Sequence, residues 1–184
     1  ADFKNFADDL FAALKCAPPP TVELTKSVDD HSKPEPGGTF TFTLSIHNTS
    51  DHSVKITELT DTNALSAECK ALVGTTLAAD ATVSCQYEVE HTKIGTYPNE
   101  ASVTVKDDDG GTASDEDDES VEVTDILPDV SLDKSVTPAS RPEPGGVFTY
   151  TLEITNTSDE TVTITALTDD NALSQACKDL VGTT

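Results

Sequence analysis

The sequence has no tryptophan and no methionine, and its aromatic side chains are three tyrosines and six phenylalanines in 184 residues. A core built on large rings is excluded, so the apolar volume must come from Val, Leu, Ile and Ala. Basic residues are also scarce. Eleven Lys and Arg stand against 34 Asp and Glu, a formal charge of −23. A phosphate backbone would be repelled, so no nucleic-acid partner is expected. Anionic membrane surfaces are disfavoured for the same reason. No run of about 18 apolar residues occurs, so no membrane insertion is expected. A basic segment followed by an apolar stretch is missing too, and a start at Ala1 fits a chain from which a signal peptide has been removed.

What is there is threonine, repeatedly alternating with β-branched and aliphatic residues, a mixture that suits half-buried strands. The acidic excess keeps a chain soluble and attracts cations. Its readings are a solvated surface or specific cation binding.

An internal repeat organises the chain. Residues 22–76 align with residues 130–184 at a constant offset of 108 without a gap, and 37 of the 55 pairs are identical. KPEPGGTFTFTLSIHNTSD in the first copy becomes RPEPGGVFTYTLEITNTSD in the second. A period of that size is a whole domain, not a solenoid turn. The expected organisation is an N-terminal segment (1–20), a first module (21–125), a linker (126–129) containing Pro128, and a partial second module (130–184).

Within a module the period is two. Val22 to Val28 alternates, and Phe40, Phe42, Leu44 and Ile46 recur at every second position. These predict strands with one buried face. Pro34-Glu35-Pro36-Gly37-Gly38 and Asn48-Thr49-Ser50-Asp51 read as turns. Val54, Ile56 and a Leu59 out of phase mark a third strand, and Leu65, Cys69 and Leu72 have the spacing of a short helix. Val83 to Val89, Ala101 to Val105, and Val121 with Val123 complete six or seven strands, the last preceded by an acidic turn. The expected fold is all-β: tandem immunoglobulin-like sandwiches, the second incomplete.

The succession PEPGG-x-F-T-x-T-L-x-I-x-N-T-S-D, I-T-x-L-T-D, C-x-x-L-V-G and KDDDGGTASDEDDESVEV resembles a group of bacterial and archaeal cell-surface conserved-repeat domains of unknown function. The resemblance covers residues 22–125 and, in part, 130–184. It implies an Ig-like fold and a place in arrays on adhesins, envelope proteins and extracellular fibres, and it supplies no catalytic residues.

Cys69 and Cys85 fall in one module and are expected to pair, adding ~3 kcal/mol for a loop of about 15 residues. A zinc site competes weakly, since no Cys-x-x-Cys or nearby His pair exists. Cys177, the repeat partner of Cys69, is left with Cys16. Leu14-Lys15-Cys16 has the apolar-polar-Cys order of Val83-Ser84-Cys85, so a Cys16–Cys177 bond between neighbouring subunits is one reading. Unpaired thiols, or partners outside this stretch of chain, are the other. A second module without its last three strands would expose an edge and a core face, a template for strand addition. Leu10, Ala12, Leu14 and Cys16 alternate as a donor strand would; Phe3, Phe6, Ala7, Leu10, Phe11 and Leu14 equally fit an amphipathic helix.

The carboxylates of Asp107, Asp108, Asp109, Asp115 and Asp117 are candidates for loose calcium binding, against a plain solvated turn; the EF-hand spacing is absent. Asn48 and Asn156 head the sequons Asn-Thr-Ser at matching repeat positions, where the motif either carries a glycan or simply makes the turn. No hydrolase elbow, zinc-protease helix or phosphate loop occurs, so no enzyme is expected. The histidines His31, His47, His52 and His91 all belong to the first copy. The expected function is structural: a subunit of an extracellular filament, polymerising head to tail with itself. The alternative is a stalk or adhesin module of a large cell-surface protein, with glycans as further partners.

Overall fold

The computed structural model describes residues 18–184; the N-terminal segment read above as strand or helix, Cys16 included, lies outside them. The chain divides into two compact units, 1–124 and 125–184.

Unit 1 contains β1 (Val22–Val28), β2 (Ser32–Pro34), β3 (Gly38–Asn48), β4 (Val54–Asp61), α1 (Ala67–Ala71), β5 (Thr76–Leu77), β6 (Thr82–His91), β7 (Gly95–Lys106) and β8 (Thr112–Thr124). They form two sheets, one ordered β1-β3-β6 and the other β2-β8-β7-β4-β5. All pairs are antiparallel except β2 with β8. Two mainly antiparallel sheets sharing one core are the immunoglobulin-type sandwich. The alternation in β3 decides its placement: Phe40, Phe42, Leu44 and Ile46 are fully buried. Each such side chain contributes roughly 1.5–3 kcal/mol by leaving water. The opposite sheet answers with Val54, Ile56, Leu59, Val103, Val105, Val121 and Val123.

The phase slip of Leu59 has a structural cause. The register of β4 on β7 shifts between Ile56 and Glu58, so one extra residue returns Leu59 to the core. The Pro34–Gly38 turn needs its first glycine. Gly37 has φ +77°, and a Cβ there would fall 2.1 Å from the His91 carbonyl oxygen. α1 starts at Ser66, whose hydroxyl accepts from the Cys69 N–H at 3.1 Å.

One expectation fails here. The acidic stretch is not a turn: only Asp107 to Gly111 turns, and β8 runs straight through the acidic residues from Thr112 to Thr124. The reason is twofold. β8 pairs with β7 along its length. Its Asp115 and Asp117 carboxylates also accept the Leu24 and Lys26 N–H groups at 2.7 and 2.6 Å. These donors belong to β1, an edge strand of the other sheet, and the aspartates cap them as a neighbouring strand would.

Unit 2 contains β9 (Val130–Thr137), paired antiparallel with β10 (Thr149–Asn156), and α2 (Gln175–Lys178). The local devices of unit 1 recur: Ser174 caps Cys177 N–H, and Gly182 N–H donates to the Ile164 carbonyl as Gly74 does to Ile56. Burial does not recur. Leu132 is 56% exposed and Tyr150 50%, whereas their counterparts Leu24 and Phe42 are 4% and 0%.

Asn48 is the hub of the β3–β4 turn. Its Nδ2 donates to the carbonyls of His52, Leu77 and Ala78, and its Oδ1 accepts the Ser50 N–H. Asn48→Ala is expected to lower the stability of unit 1 by about 2–3 kcal/mol, because the buried partners lose their hydrogen bonds. Asn156→Ala, at the exposed counterpart, should change it by less than ~0.5 kcal/mol. Urea unfolding of both variants checks this.

Candidate functional site

Two features stand out, a buried polar cluster in unit 1 and an uncovered apolar face in unit 2. The cluster begins with a pattern. Val22, Leu24, Lys26 and Val28 share the phase of β1 that points inward, so a lysine takes a core position. Its Nζ lies 2.6 Å from Asp61 Oδ2, and both side chains are wholly inaccessible to solvent. Asp61 Oδ2 also accepts the Tyr87 hydroxyl at 2.6 Å, and Asp61 Oδ1 accepts the Asn63 N–H at 2.8 Å. Asn99 Nδ2 donates to the Tyr87 oxygen at 2.9 Å. The rings of Phe42 and Tyr87 stack at 5.4 Å and flank the ammonium. Burial pulls the Lys26 amine below its ordinary range, opposed by the Asp61 hydrogen bond. Burial and the Asp61 carboxylate push the Tyr87 phenol far upward, so it stays a donor. Sequence reasoning missed this cluster. The available signal was a Lys on the inward phase of a strand and an Asp after I-T-x-L-T, both repeated at Lys134 and Asp169.

In unit 2 the Lys134–Asp169 pair forms as well, at 2.5 Å, with the Asn171 N–H on Asp169 Oδ1 at 2.8 Å. Beside it lies a cleft of about 400 Å³ lined by Phe148, Tyr150, Leu152, Asp169, Leu173 and Cys177. Subtracting the repeat offset gives Phe40, Phe42, Leu44, Asp61, Leu65 and Cys69. In unit 1 that surface is covered by β6, where Leu44 pairs with Cys85, Phe42 with Tyr87 and Phe40 with Val89. A second cleft of about 610 Å³ includes Leu132, Ile154, Val162 and Ile164. Their counterparts Leu24, Ile46, Val54 and Ile56 pack in unit 1 with Val103, Val105, Val121 and Val123 of β7 and β8.

The expected disulfide is present: Cys69 and Cys85 are bonded, with Cα atoms 5.1 Å apart, tying α1 to β6. Cys177 is a free thiol. Asn48 is buried, with its carboxamide engaged within the β3–β4 turn. Asn156 is exposed, with Nδ2 donating to the Glu160 carbonyl.

The carboxylates proposed for calcium are not gathered. Asp107 is buried, accepting the Gly111 N–H at 2.6 Å; Asp108 and Asp109 are on the exposed turn. Asp115 and Asp117 sit on β8 and hold the edge of β1. Among the described residues no group of three or more His, Cys, Asp or Glu side chains is placed to hold a metal ion. No described helix is long and apolar enough to cross a membrane.

No protein-family model matches the chain, and no curated protein matches it. Among solved structures, native alpha-2-macroglobulin from Escherichia coli, spanning domain MG7 to the C-terminus, is similar over 65% of this chain and 19% of that one. The identity is 16% and the TM-score 0.42. The fold class rests on the two sheets themselves. They define an immunoglobulin-like β-sandwich module, followed by a second copy of its first half.

His31 is exposed and His47, His52 and His91 are half-buried in unit 1, apart from both features. His47 Nε2 is 3.0 Å from Asp80 Oδ1, which raises its pKa above the ordinary 6.5. A raised folded value means that the interaction contributes fully below pH 6.5 and fades as pH climbs through the folded midpoint. NMR titration should place the His47 midpoint above 6.5, and Asp80→Asn should bring it down. His91, whose pKa burial lowers, should titrate below 6.5 in both proteins.

Proposed function

We propose that the chain is a structural segment of an extracellular filament or surface appendage, in which the open face of unit 2 receives a β6-like strand from a neighbouring copy. The carrying observation is the repeat-equivalent surface. Phe148, Tyr150, Leu152 and Cys177 form the seat that β6 fills in unit 1. An exposed apolar face beside an unpaired edge recruits a strand through main-chain hydrogen bonds, with alternate side chains entering pockets. The preferred strand has the order Cys-x-Tyr-x-Val of Cys85 to Val89, so its cysteine meets Cys177 and its tyrosine reaches Asp169. The N-terminal residues Leu14-Lys15-Cys16 match Val83-Ser84-Cys85, the lead-in to that order, while Pro18 and Pro20 stand where it has tyrosine and valine. Donation from that end to the next copy's unit 2 is head to tail and propagates instead of closing.

The Cys69–Cys85 disulfide supports an oxidising, extracellular setting. An acidic surface and a disulfide-stapled sandwich suit a load-bearing spacer. The tandem repeat equally suits a stalk, in which following residues of the same polypeptide fill the seat and the module carries an adhesin outward.

Non-reducing electrophoresis and peptide mapping of protein from its native source separate the two. A ladder of covalent multimers joined through Cys16–Cys177, collapsing in Cys177→Ser, supports polymerisation. A larger single chain whose own later cysteine holds Cys177 gives the stalk. Monomers with both thiols free and no filaments by electron microscopy overturn the proposal.

A further inference from the structure

We propose that Lys26 and Asp61 condense into an intrachain isopeptide bond that joins the two sheets of unit 1. The inference is independent of the assembly above. The two residues come from different sheets, Lys26 from β1 and Asp61 from the end of β4. Their reacting groups touch, with Nζ 2.6 Å from Oδ2 and neither side chain exposed. Contact of this kind removes the entropic barrier of bringing amine and carboxyl together.

The surroundings assign a role to each atom. Away from water an ion pair loses its hydration, and moving one proton from Nζ to Oδ2 leaves a neutral amine beside a neutral acid. The depressed basicity of Lys26 runs in the same direction. The freed lone pair on Nζ adds to Cγ of Asp61. Negative charge then develops on Oδ1, which already accepts the Asn63 backbone N–H at 2.8 Å; a fixed donor at that place stabilises the tetrahedral state. Oδ2 is the departing oxygen. It carries the proton taken from the ammonium, receives a second from the nitrogen, and has the Tyr87 hydroxyl donating to it at 2.6 Å. The Cγ–Oδ2 bond breaks and one water leaves. The product is a secondary amide with a single N–H, and nothing is oxidised or reduced. Asn99 positions the phenol through Nδ2. Its own Oδ1 is buried with no hydrogen-bond partner, an acceptor left open in a cluster where every other group is engaged.

Unit 2 serves as an internal control. Lys134 and Asp169 keep the contact and the backbone donor, but the lysine side chain is 39% exposed and no tyrosine donates to Asp169 among the described residues. In the chain by itself, with no strand laid over this pair, water stabilises the charged form and no bond is expected.

Intact-mass measurement of the reduced, denatured protein decides the matter. The expected mass is below the sequence mass by one water per chain. Proteolysis should yield a branched peptide linking the segments around Lys26 and Asp61, with no tryptic cleavage after Lys26. Lys26→Arg should restore the sequence mass, and Tyr87→Phe should slow the loss of water by about 100-fold. The wild-type protein alone is decisive should either variant fail to fold. A wild-type mass equal to the sequence mass overturns the inference. So does a loss of water without a branched peptide, which would be a cyclic imide at an aspartate. Loss of ammonia with a branch at Asn99 overturns the assignment of Asp61.

Discussion

A strand with one apolar face is stable only when a second layer covers that face, and every other feature of this chain depends on that requirement. In β3 the face is Phe40, Phe42, Leu44 and Ile46, and β6 lies alongside with Cys85, Tyr87 and Val89 in register. The opposite sheet closes the core with valines of β7 and β8. All the polar refinements of unit 1 follow from that closure. The disulfide reaches β6, Tyr87 of β6 reaches Asp61, and the aspartates of β8 reach the edge of β1. Where that sequence recurs in residues 130–184, the local turns and caps form again, while Leu132 and Tyr150 are exposed and Leu152 and Ile154 half-buried. In unit 1 the burial of these positions is completed by β6, β7 and β8.

The buried cluster shows how a polar group is accommodated inside such a sandwich. A lysine on an inward phase carries a desolvation cost of several kcal/mol unless it is fully satisfied. Asp61 neutralises it, the aromatic rings flank it, and Tyr87 and the Asn63 amide occupy the two carboxylate oxygens. Charge neutralisation across sheets fixes the position of one layer on the other, because β1 and β4 can meet in this way in one register only. Directional contacts of that kind select among the many ways in which valine-rich faces could slide.

Much of the acidic excess is less passive than its composition implies. Five carboxylates that a linear reading groups as one turn are divided among three tasks. Asp107 closes a hairpin, Asp108 and Asp109 face solvent, and Asp115 and Asp117 satisfy backbone donors of a strand from the other sheet. A run of acids in a strand is tolerable because alternate members face opposite ways, and the inward ones find N–H groups.

The sequence by itself determined the strands whose period was unbroken, the duplication, the turn at Gly37 and the Cys69–Cys85 pair. Each of these is a local or spacing property: alternation, a fixed offset, a backbone that admits no Cβ, two thiols in one module. It gave no warning that Asn48 would be buried. Nor did it show that β8 would continue through its acidic residues, or that Lys26 would meet Asp61, Tyr87 and Asn99. Those outcomes belong to the tertiary structure. They depend on which strand lies opposite which across the sandwich, and a donor 12 to 91 positions away in the chain leaves no periodic trace at the residue that receives it.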